Sequence, residues 1–255
     1  MNREPTTDRP ERHRRLVVGA VVTALVLLLV AGGTLWFFSG DAPAAVDITS
    51  AVDQAATPTS EQDTAGANGS ASDGTWVVDT SVGEFSITDS TGTFVGVRID
   101  EQLANVGATT AVIRTPEVDG TIELDGTTLV SADIEADLTA LVSDETRRDD
   151  NVQRALNTGT NPTATFTLTE PVELDALPTA DDPIEVAATG ELTINGVTNT
   201  VDVPLQIAMT DGVAVVTGTF DVTLADYNVQ APAAPIVLSV ADTGTVELQL
   251  FLTPA

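Results

Sequence analysis

The sequence predicts an all-β fold of antiparallel strands, and three observations lead to that prediction. From Trp76 to the C-terminus apolar residues recur at every second position, which is the period of a strand with one buried face. Pairs such as Asn195-Gly196 separate the alternating runs and suit tight hairpins. One short stretch, 144–157, departs from the alternation. We expect about eight to ten strands, closed into a barrel or packed as a two-sheet sandwich so that their edges are hidden.

The N-terminal part carries an uncharged, apolar stretch at residues 16–38. Its 23 residues exceed the roughly 20 that a helix needs to cross a bilayer. Three arginines lie just before it at 12–15, and no basic residue follows until Arg98, so the positive-inside rule places the N-terminus in the cytoplasm. The pattern predicts a single-pass membrane protein with a cytoplasmic tail over 1–15, a transmembrane helix over 16–38 and an extracytoplasmic C-terminal domain.

A cleaved signal peptide is the alternative interpretation of the same stretch, because Ala42-Pro43-Ala44 offers a small-residue cleavage site. The apolar region of a signal peptide usually has only about 7–15 residues, however, so the length favours an anchor. In both cases the C-terminal domain is exported.

A flexible linker is predicted over residues 39–73. Ala, Ser, Thr, Gly and Pro make up 23 of its 35 residues, and it contains no aromatic residue. Such a composition does not supply a hydrophobic core. As a flexible coil it would span roughly 30–35 Å, which holds a domain clear of the membrane surface.

The clearest strands follow the linker and place their apolar residues on one face. In the run 163–169 Ala164, Phe166 and Leu168 share a face opposite threonines. Three further alternating runs lie at 185–194, 200–209 and 246–252. We therefore expect half-buried strands in each of these segments.

Four residue pairs that tolerate positive φ mark the expected hairpins. They are Asp119-Gly120, Asp125-Gly126, Asn195-Gly196 and Asp211-Gly212. Connections this short require antiparallel neighbours.

The stretch 144–157 is predicted to be a short helix interrupting the strands. Asp144 is a suitable N-cap, Val152 and Leu156 fall on one face, and Gly159 lies beyond the end. This helix and the length of the strands favour a barrel with a lid over an immunoglobulin-like sandwich, whose strands are shorter.

Charge and composition exclude several classes of function. The net charge is −28, and all ten basic residues are arginines. Residues 1–15 carry a local charge of +2, five Arg against three acids, which leaves −30 for the rest of the chain. Such an acidic protein repels nucleic acid, so no nucleic-acid partner is expected.

The exported part also lacks most catalytic groups. The chain has no Cys, and its single His, His13, lies before the apolar stretch. Triads, zinc sites with His or Cys ligands and lysine chemistry are therefore excluded there. The acidic cluster Asp133, Glu135 and Asp137 alternates with apolar residues and is interpreted as a solvated strand face. The sequence predicts no enzyme, no cofactor and no metal site.

Five motifs, in order, resemble those of the YceI-like family of lipid- or polyisoprenoid-binding domains. Trp76-Val77-Val78-Asp79 resembles its opening W-x-V-D strand, and 148–152 (RDDNV) resembles the R-D-x-H-L segment of its inserted helix. The run 161–166 (NPTATF) is similar to y-P-t-i-t-F, 190–198 (GELTINGVT) to G-x-L-T-I-H-G-V-T, and 226–229 (DYNV) to D-F-G-I. The resemblance covers about residues 74–255.

The resemblance implies an eight-stranded antiparallel, lipocalin-like barrel that holds a long apolar chain, such as a polyisoprenoid or an isoprenoid quinone. Both positions at which the family motifs show His are Asn here, Asn151 and Asn195. Asn cannot titrate near neutral pH, so no role that needs an imidazole is expected.

These observations favour a membrane-anchored carrier or reservoir for an apolar isoprenoid or other lipid chain. The residues expected to line the barrel are Phe166, Leu168, Leu192, Ile194, Leu205, Ile207, Phe220 and Leu224. A non-catalytic structural or interaction module of the cell envelope, with a barrel filled by its own side chains, is the alternative. A hydrolase that uses two carboxylates is a third hypothesis, for which no pair of acids stands out.

Overall fold

The computed structural model describes residues 42–56, 73–231 and 235–255. The predicted tail (1–15) and transmembrane helix (16–38) lie outside these ranges, as do 39–41 and 57–72 of the predicted linker. Among the described residues, no helix combines the length and the apolar character needed to cross a membrane.

Strands dominate the described part of the chain. Within it, two α-helices, thirteen strands and two 3-10 turns follow one another as α1 (Ile48–Ala55), β1 (Asp73–Val78), β2 (Phe94–Leu103), β3 (Gly107–Thr115), β4 (Val118–Asp125), β5 (Thr128–Asp137), a turn (Leu138–Ala140), β6 (Val142–Ser143), α2 (Thr146–Ala155), β7 (Thr163–Leu168), β8 (Val172–Glu173), β9 (Ile184–Ile194), β10 (Val197–Thr210), β11 (Val213–Thr223), a turn (Leu224–Tyr227), β12 (Val237–Val240) and β13 (Thr243–Pro254).

The strands form one closed antiparallel barrel. Eight of them pair in the order β1-β4-β5-β7-β9-β10-β11-β13, and β13 pairs back with β1 to close the ring. The earlier half of β13 pairs with β2, and β2 pairs with β3, which runs into β4 through Pro116 and Glu117. The β2–β3 pair thus continues the wall that β1 and β4 form. The predicted barrel is confirmed, and the immunoglobulin-like alternative is wrong.

Three of the four predicted hairpins are present. Asn195-Gly196 joins β9 to β10 and Asp211-Gly212 joins β10 to β11, with positive φ at all four residues. Asp125-Gly126 begins the turn between β4 and β5. The fourth prediction, a turn at Asp119-Gly120, is wrong. Both residues lie inside β4, where Asp119 pairs with Glu135 and Gly120 with Ile134 without a break in the ladder.

The predicted lid helix is confirmed, with a different start. Helix α2 begins at Thr146, and Glu145 occupies the N-cap position without a side-chain capping bond. Asp144, the expected N-cap, instead forms an ion pair with Arg148. Arg148 also donates to Glu101 on β2 at 2.8 Å, which ties the helix to the barrel wall.

An unexpected helix, α1, lies inside the segment predicted to be a flexible linker. Asp47 caps it by accepting a hydrogen bond from the Ser50 amide at 2.9 Å. Its buried residues Ile48, Ala51 and Val52 follow helical spacing and form a cluster with Ala208, Val215 and Phe251. These three lie on β10, β11 and β13 and alternate with residues that face the barrel interior. The linker prediction therefore fails over residues 48–55, because a short apolar stripe packs on the outside of the barrel.

A buried ionic cluster fixes the segment before α1. Arg114 on β3 donates to Glu247 on β13 at 2.7 Å, and both side chains are fully buried. Arg114 also donates to the main-chain oxygens of Ile87 at 2.9 Å and Ala44 at 2.8 Å. Arg98 donates to the Pro43 oxygen at 2.8 Å. Two arginines therefore hold residues 43–44 against the barrel.

Candidate ligand-binding site

Alternation along the strands turns one face of each into the barrel interior. On β5, Ala132, Ile134 and Ala136 face a cavity, whereas Asp133 and Glu135 are exposed. The solvated strand face predicted for the acidic cluster is confirmed at these two acids, whereas Asp137 is half-buried and accepts a hydrogen bond from the Thr139 amide at 2.7 Å. β5 therefore turns an apolar face to the barrel interior and a polar face to solvent.

A first cavity of about 150 Å³ occupies one half of the barrel. Its lining residues come from β2, β4, β5, β7, β9, β10, β11 and β13, and Thr165 is the single polar residue among them. Leu174, Leu177 and Pro178, from the connection between β8 and β9, contribute at one end. Leu177 is 43% exposed, so this end of the cavity lies near the protein surface.

A second cavity of about 150 Å³ lies beneath α2. Val152 and Ala155 of α2 and Leu156, which caps its C-terminus, line it from above. Leu138 and Leu141, from the chain before the helix, also contribute. Its polar lining residues are Thr115 and Tyr227. Helix α2 is thus the lid that the sequence predicted.

The two cavities adjoin inside the barrel. They share five lining residues, Val95, Ala136, Ala164, Leu192 and Val246. Together they form an apolar space that runs from the β8–β9 connection to α2. Such a shape suits a long, narrow apolar ligand rather than a compact polar one.

The Phe166 ring depends on a glycine for its position next to this space. A Cβ added to Gly190 on β9 would lie 2.4 Å from the Phe166 Cζ and 2.6 Å from the Thr167 oxygen. Only glycine at 190 leaves the ring room to lie across β9. The absent side chain therefore helps to shape the cavity wall.

Seven of the eight residues predicted to line the barrel do so. Phe166, Leu205, Ile207 and Phe220 line the first cavity, Ile194 and Leu224 line the second, and Leu192 lines both. Leu168 lies on the same strand as Phe166 but lines neither cavity. Contact of any of them with a ligand stays a prediction.

Sequence reasoning missed many lining residues, including Ile122 and Leu124 of β4 and Ile134 of β5. Leu248, Leu250 and Leu252 had a clear alternating signal and could have been included. The apolar face of α2 was recognised, but the place of α2 and of the β8–β9 connection over the barrel ends depends on tertiary packing, which the sequence pattern does not show. Tyr227 was noted as part of a motif but not as a lining residue.

The residues at the two motif positions where the family has His make structural contacts. Asn195 accepts from Asn161 Nδ2 at 3.1 Å and donates to the Tyr227 main-chain oxygen at 3.1 Å. Asn195 therefore holds the Tyr227 turn against the β9–β10 hairpin. Asn151 on α2 accepts a hydrogen bond from Arg154.

Tyr227 lines the second cavity with its apolar atoms, and its hydroxyl is buried away from the cavity surface. Tyr227 is 3% exposed, and its hydroxyl has no hydrogen-bond partner among the described residues. Burial raises the pKa of Tyr227 above its ordinary value, while the nearby Asn199 side chain lowers it to a smaller extent. In the described part of the chain no three His, Asp or Glu side chains form a group that could hold a metal ion.

A closed eight-stranded barrel with an apolar interior defines a class of proteins whose barrel can hold one apolar ligand or be filled by its own side chains. The chain belongs to the YceI-like domain family, whose model matches residues 76–252. The resemblance found in the sequence motifs is thereby confirmed.

Several solved structures are similar to this chain at low sequence identity. A polyisoprenoid binding domain from Saccharophagus degradans implicated in plant cell wall breakdown is 15% identical, with a TM-score of 0.50 over 71% of this chain and 98% of that one. BcnA of Burkholderia cenocepacia is 20% identical, with a TM-score of 0.48 over 62% of this chain and 95% of that one. The YceI protein of Campylobacter jejuni is 17% identical, with a TM-score of 0.45 over 59% and 85%. No curated protein matches the sequence.

Proposed function

We propose that this protein binds an isoprenoid or other lipid chain inside its barrel and acts as a carrier or reservoir for it. The observation that carries the proposal is the pair of adjoining apolar cavities. A ligand there gains free energy from burial of its own apolar surface, at about 25 cal/mol per Å². The name of the Saccharophagus degradans domain, which describes polyisoprenoid binding, agrees with this assignment.

The cavities also bear on the alternative, a structural module with a filled barrel. A barrel filled by its own side chains would leave no adjoining cavities of about 150 Å³ each. Catalysis is not part of the proposal, because the lining offers no carboxylate, imidazole or metal ligand among the described residues.

Attachment to the membrane is a further part of the proposal. Residues 16–38 are apolar and long enough to span a bilayer, and the arginines before them favour a cytoplasmic N-terminus. The barrel would then lie outside the cytoplasmic membrane and exchange lipid with it. Protease added to spheroplasts should remove the barrel and leave a short membrane-bound fragment. Resistance of the barrel to the protease would contradict this topology.

A matched pair of variants tests ligand binding. Ala188 on β9 is 2% exposed and lines the first cavity, whereas its neighbour Ala187 is exposed on the outer face. Ala188→Phe should place a ring in the cavity, and Ala187→Phe places the same ring outside. The full chain is purified with each substitution, and bound lipid is extracted and measured by mass spectrometry.

Lipid that associates with the N-terminal apolar stretch is common to both variants, so the difference between them reports on the barrel. We expect the wild type and Ala187→Phe to retain an isoprenoid or other lipid that Ala188→Phe loses. Equal lipid in both variants, with both folded by circular dichroism, would contradict the proposal and favour the structural module.

A further inference from the structure

An exposed apolar surface lies at the α2 end of the barrel. Beyond the start of β13, β2 pairs with β12. The Ala104 amide donates to the Ile236 main-chain oxygen at 2.7 Å, which brings the start of β12 to the β2–β3 turn. The side chain of Val106 in that turn is 46% exposed, and those of Ile236 and Leu238 are 61% and 66% exposed. These three residues are called the apolar tip.

The apolar tip lies where the chain carries no charge. Asp and Glu make up 38 of the 255 residues, yet the sequence has no charged residue over 102–113 or over 227–241. The pairing of β2 with β12 brings these two uncharged stretches together. The nearest acid along β2, Glu101, forms an ion pair with Arg148. Exposed apolar side chains grouped on an otherwise acidic protein mark a contact surface for an apolar partner.

The segment before α1 runs along the outside of the barrel towards the same end. Helix α1 packs with Phe251 of β13. Pro43 is held by Arg98, which pairs with Thr245 of β13. From α1 back to Pro43 the chain therefore passes from residue 251 to residue 245 of β13. That strand begins at Thr243, at the α2 end, so the segment is directed towards the apolar tip.

The short distance from Pro43 to the apolar stretch limits how far the barrel can lie from a membrane. Four residues, 39–42, separate Pro43 from the stretch 16–38. A fully extended chain covers at most about 17 Å over that interval. A flexible coil of 35 residues would span roughly 30–35 Å. That clearance is lost, because Arg98 and Arg114 hold residues 43–44 on the barrel.

We propose that the apolar tip inserts into the surface of the bilayer in which residues 16–38 are anchored, and that it docks the α2 end of the barrel there. This inference rests on the membrane attachment in the proposed function. Burial of the apolar side chains of the tip drives the contact, and no basic residue takes part in it. Because the anchor keeps the tip at the surface, three side chains suffice for a contact that would be weak in a free domain.

Docking at this end has a consequence for lipid exchange. Val229 and Ala231, which precede β12, line the second cavity, as do Val152 and Ala155 of the lid helix. The docked end is therefore the end at which α2 covers the apolar space. A lipid chain would pass between the bilayer and this space beside α2, with little exposure to water.

Single labelled cysteines in the full chain test the contact, since the sequence has no Cys. The chain is reconstituted into phosphatidylcholine vesicles with a nitrobenzoxadiazole label on Val106→Cys or Leu238→Cys. Leu177→Cys is the control, because Leu177 is an exposed apolar residue at the opposite end of the barrel. Lipids that carry a nitroxide on the acyl chain should quench the labels at 106 and 238 several-fold more than the label at 177.

Charged variants test whether the apolar side chains cause the docking. Ile236→Asp with Leu238→Asp should reduce the quenching of the label on Val106→Cys to the level seen at 177. Val130→Asp, an exposed position on β5 near the first cavity, is the matched control and should leave that quenching unchanged. Equal quenching in both backgrounds, with both folded by circular dichroism, would contradict an apolar contact.

The remaining outcomes separate this inference from the proposed function. Quenching at 177 and not at the tip would show that the opposite end docks, which overturns the inference. A blue-shifted emission at the tip without quenching by lipid would identify a second copy of the chain as the occupant, and it would also overturn it. Weak quenching at all three sites, in a chain that resists carbonate extraction, overturns this inference alone. Release of the chain by carbonate would overturn the membrane attachment, and this inference with it.

Discussion

Arg114 reaches across the neighbouring strand to Glu247, with Nε 2.7 Å from Oε1. The two residues lie on β3 and β13, and Gly96 on β2 pairs with both of them. A Cβ at Gly96 would lie 2.6 Å from Arg114 Cγ and 2.4 Å from the Ile113 oxygen. The ion pair therefore exists because the residue between its partners has no side chain.

Loss of the Glu247 charge should destabilise the barrel strongly. Glu247→Gln leaves the buried Arg114 without its counter-charge and Arg98, 3.6 Å from Oε2, without its ion pair. We expect a loss of about 3–5 kcal/mol in the free energy of unfolding, measured by urea titration. Glu191→Gln on the exposed face of β9 is the control and should change it by less than about 0.5 kcal/mol. Equal changes in the free energy of unfolding for Glu247→Gln and Glu191→Gln would show that the buried ion pair contributes little to stability.

Gly96→Ala should destabilise the barrel through steric conflict. The added methyl group meets backbone and the first part of the Arg114 side chain, which cannot move aside without breaking the pair. A loss of about 1–3 kcal/mol is expected. Gly159→Ala is a matched control, since a Cβ there has no heavy atom within 4 Å, and it should be close to neutral. Thermal unfolding of both variants, followed by circular dichroism, checks the prediction.

Helix α1 should contribute to stability although the sequence suggested a linker. Ile48 is 8% exposed and packs with the outer faces of β10, β11 and β13. Ile48→Ala should lower the free energy of unfolding by about 2 kcal/mol. Thr49→Ala, at the exposed neighbouring position, serves as the control. Rapid hydrogen exchange at every α1 amide in the wild type would contradict a packed helix.

Stability should fall at alkaline pH because of Tyr227. Burial raises the pKa of its phenol in the folded state above the value of about 10 in the unfolded chain. The stability that the buried, neutral phenol contributes is fully present below about pH 10. It is lost as the pH rises through the folded-state pKa of Tyr227. Tyr227→Phe should remove this part of the pH dependence above about pH 10. Tyrosinate absorbance, from the one tyrosine of the chain, gives the pKa in the same samples.

The sequence predicts best those strands that have one buried face. β9 and β10 alternate clearly, and the hairpins that join β9 to β10 and β10 to β11 carry residue pairs that accept positive φ. β3 is different, because Ala111 to Thr115 are all buried. The barrel core covers one face there, and the ionic cluster with residues 43–44 covers the other. Alternation disappears when both faces are covered, so this part of the sheet could not be predicted from its pattern.

Strand alternation also separates the site residues that could be predicted from those that could not. Phe166, Leu192 and Leu205 could be assigned to the barrel interior because their position follows from strand parity. The closing residues at the two ends could not, since Val152 of α2 and Leu177 meet the barrel only through long-range packing. The burial of the Tyr227 hydroxyl likewise depends on how the turn after β11 folds inward.

The contact between Gly190 and Phe166 predicts a variant that alters the ligand space and leaves the ends of the barrel intact. In Gly190→Ala the new methyl group would lie 2.4 Å from the Phe166 Cζ, so the ring must turn into the first cavity. We expect a loss of stability of about 1–3 kcal/mol and a several-fold weaker binding of a C20 isoprenoid. Adding Phe166→Leu to Gly190→Ala should restore part of both losses, because the smaller side chain leaves room for the methyl group. If the double variant is no more stable and binds no more tightly than Gly190→Ala, the losses come from the clash with the Thr167 backbone and not from the Phe166 ring.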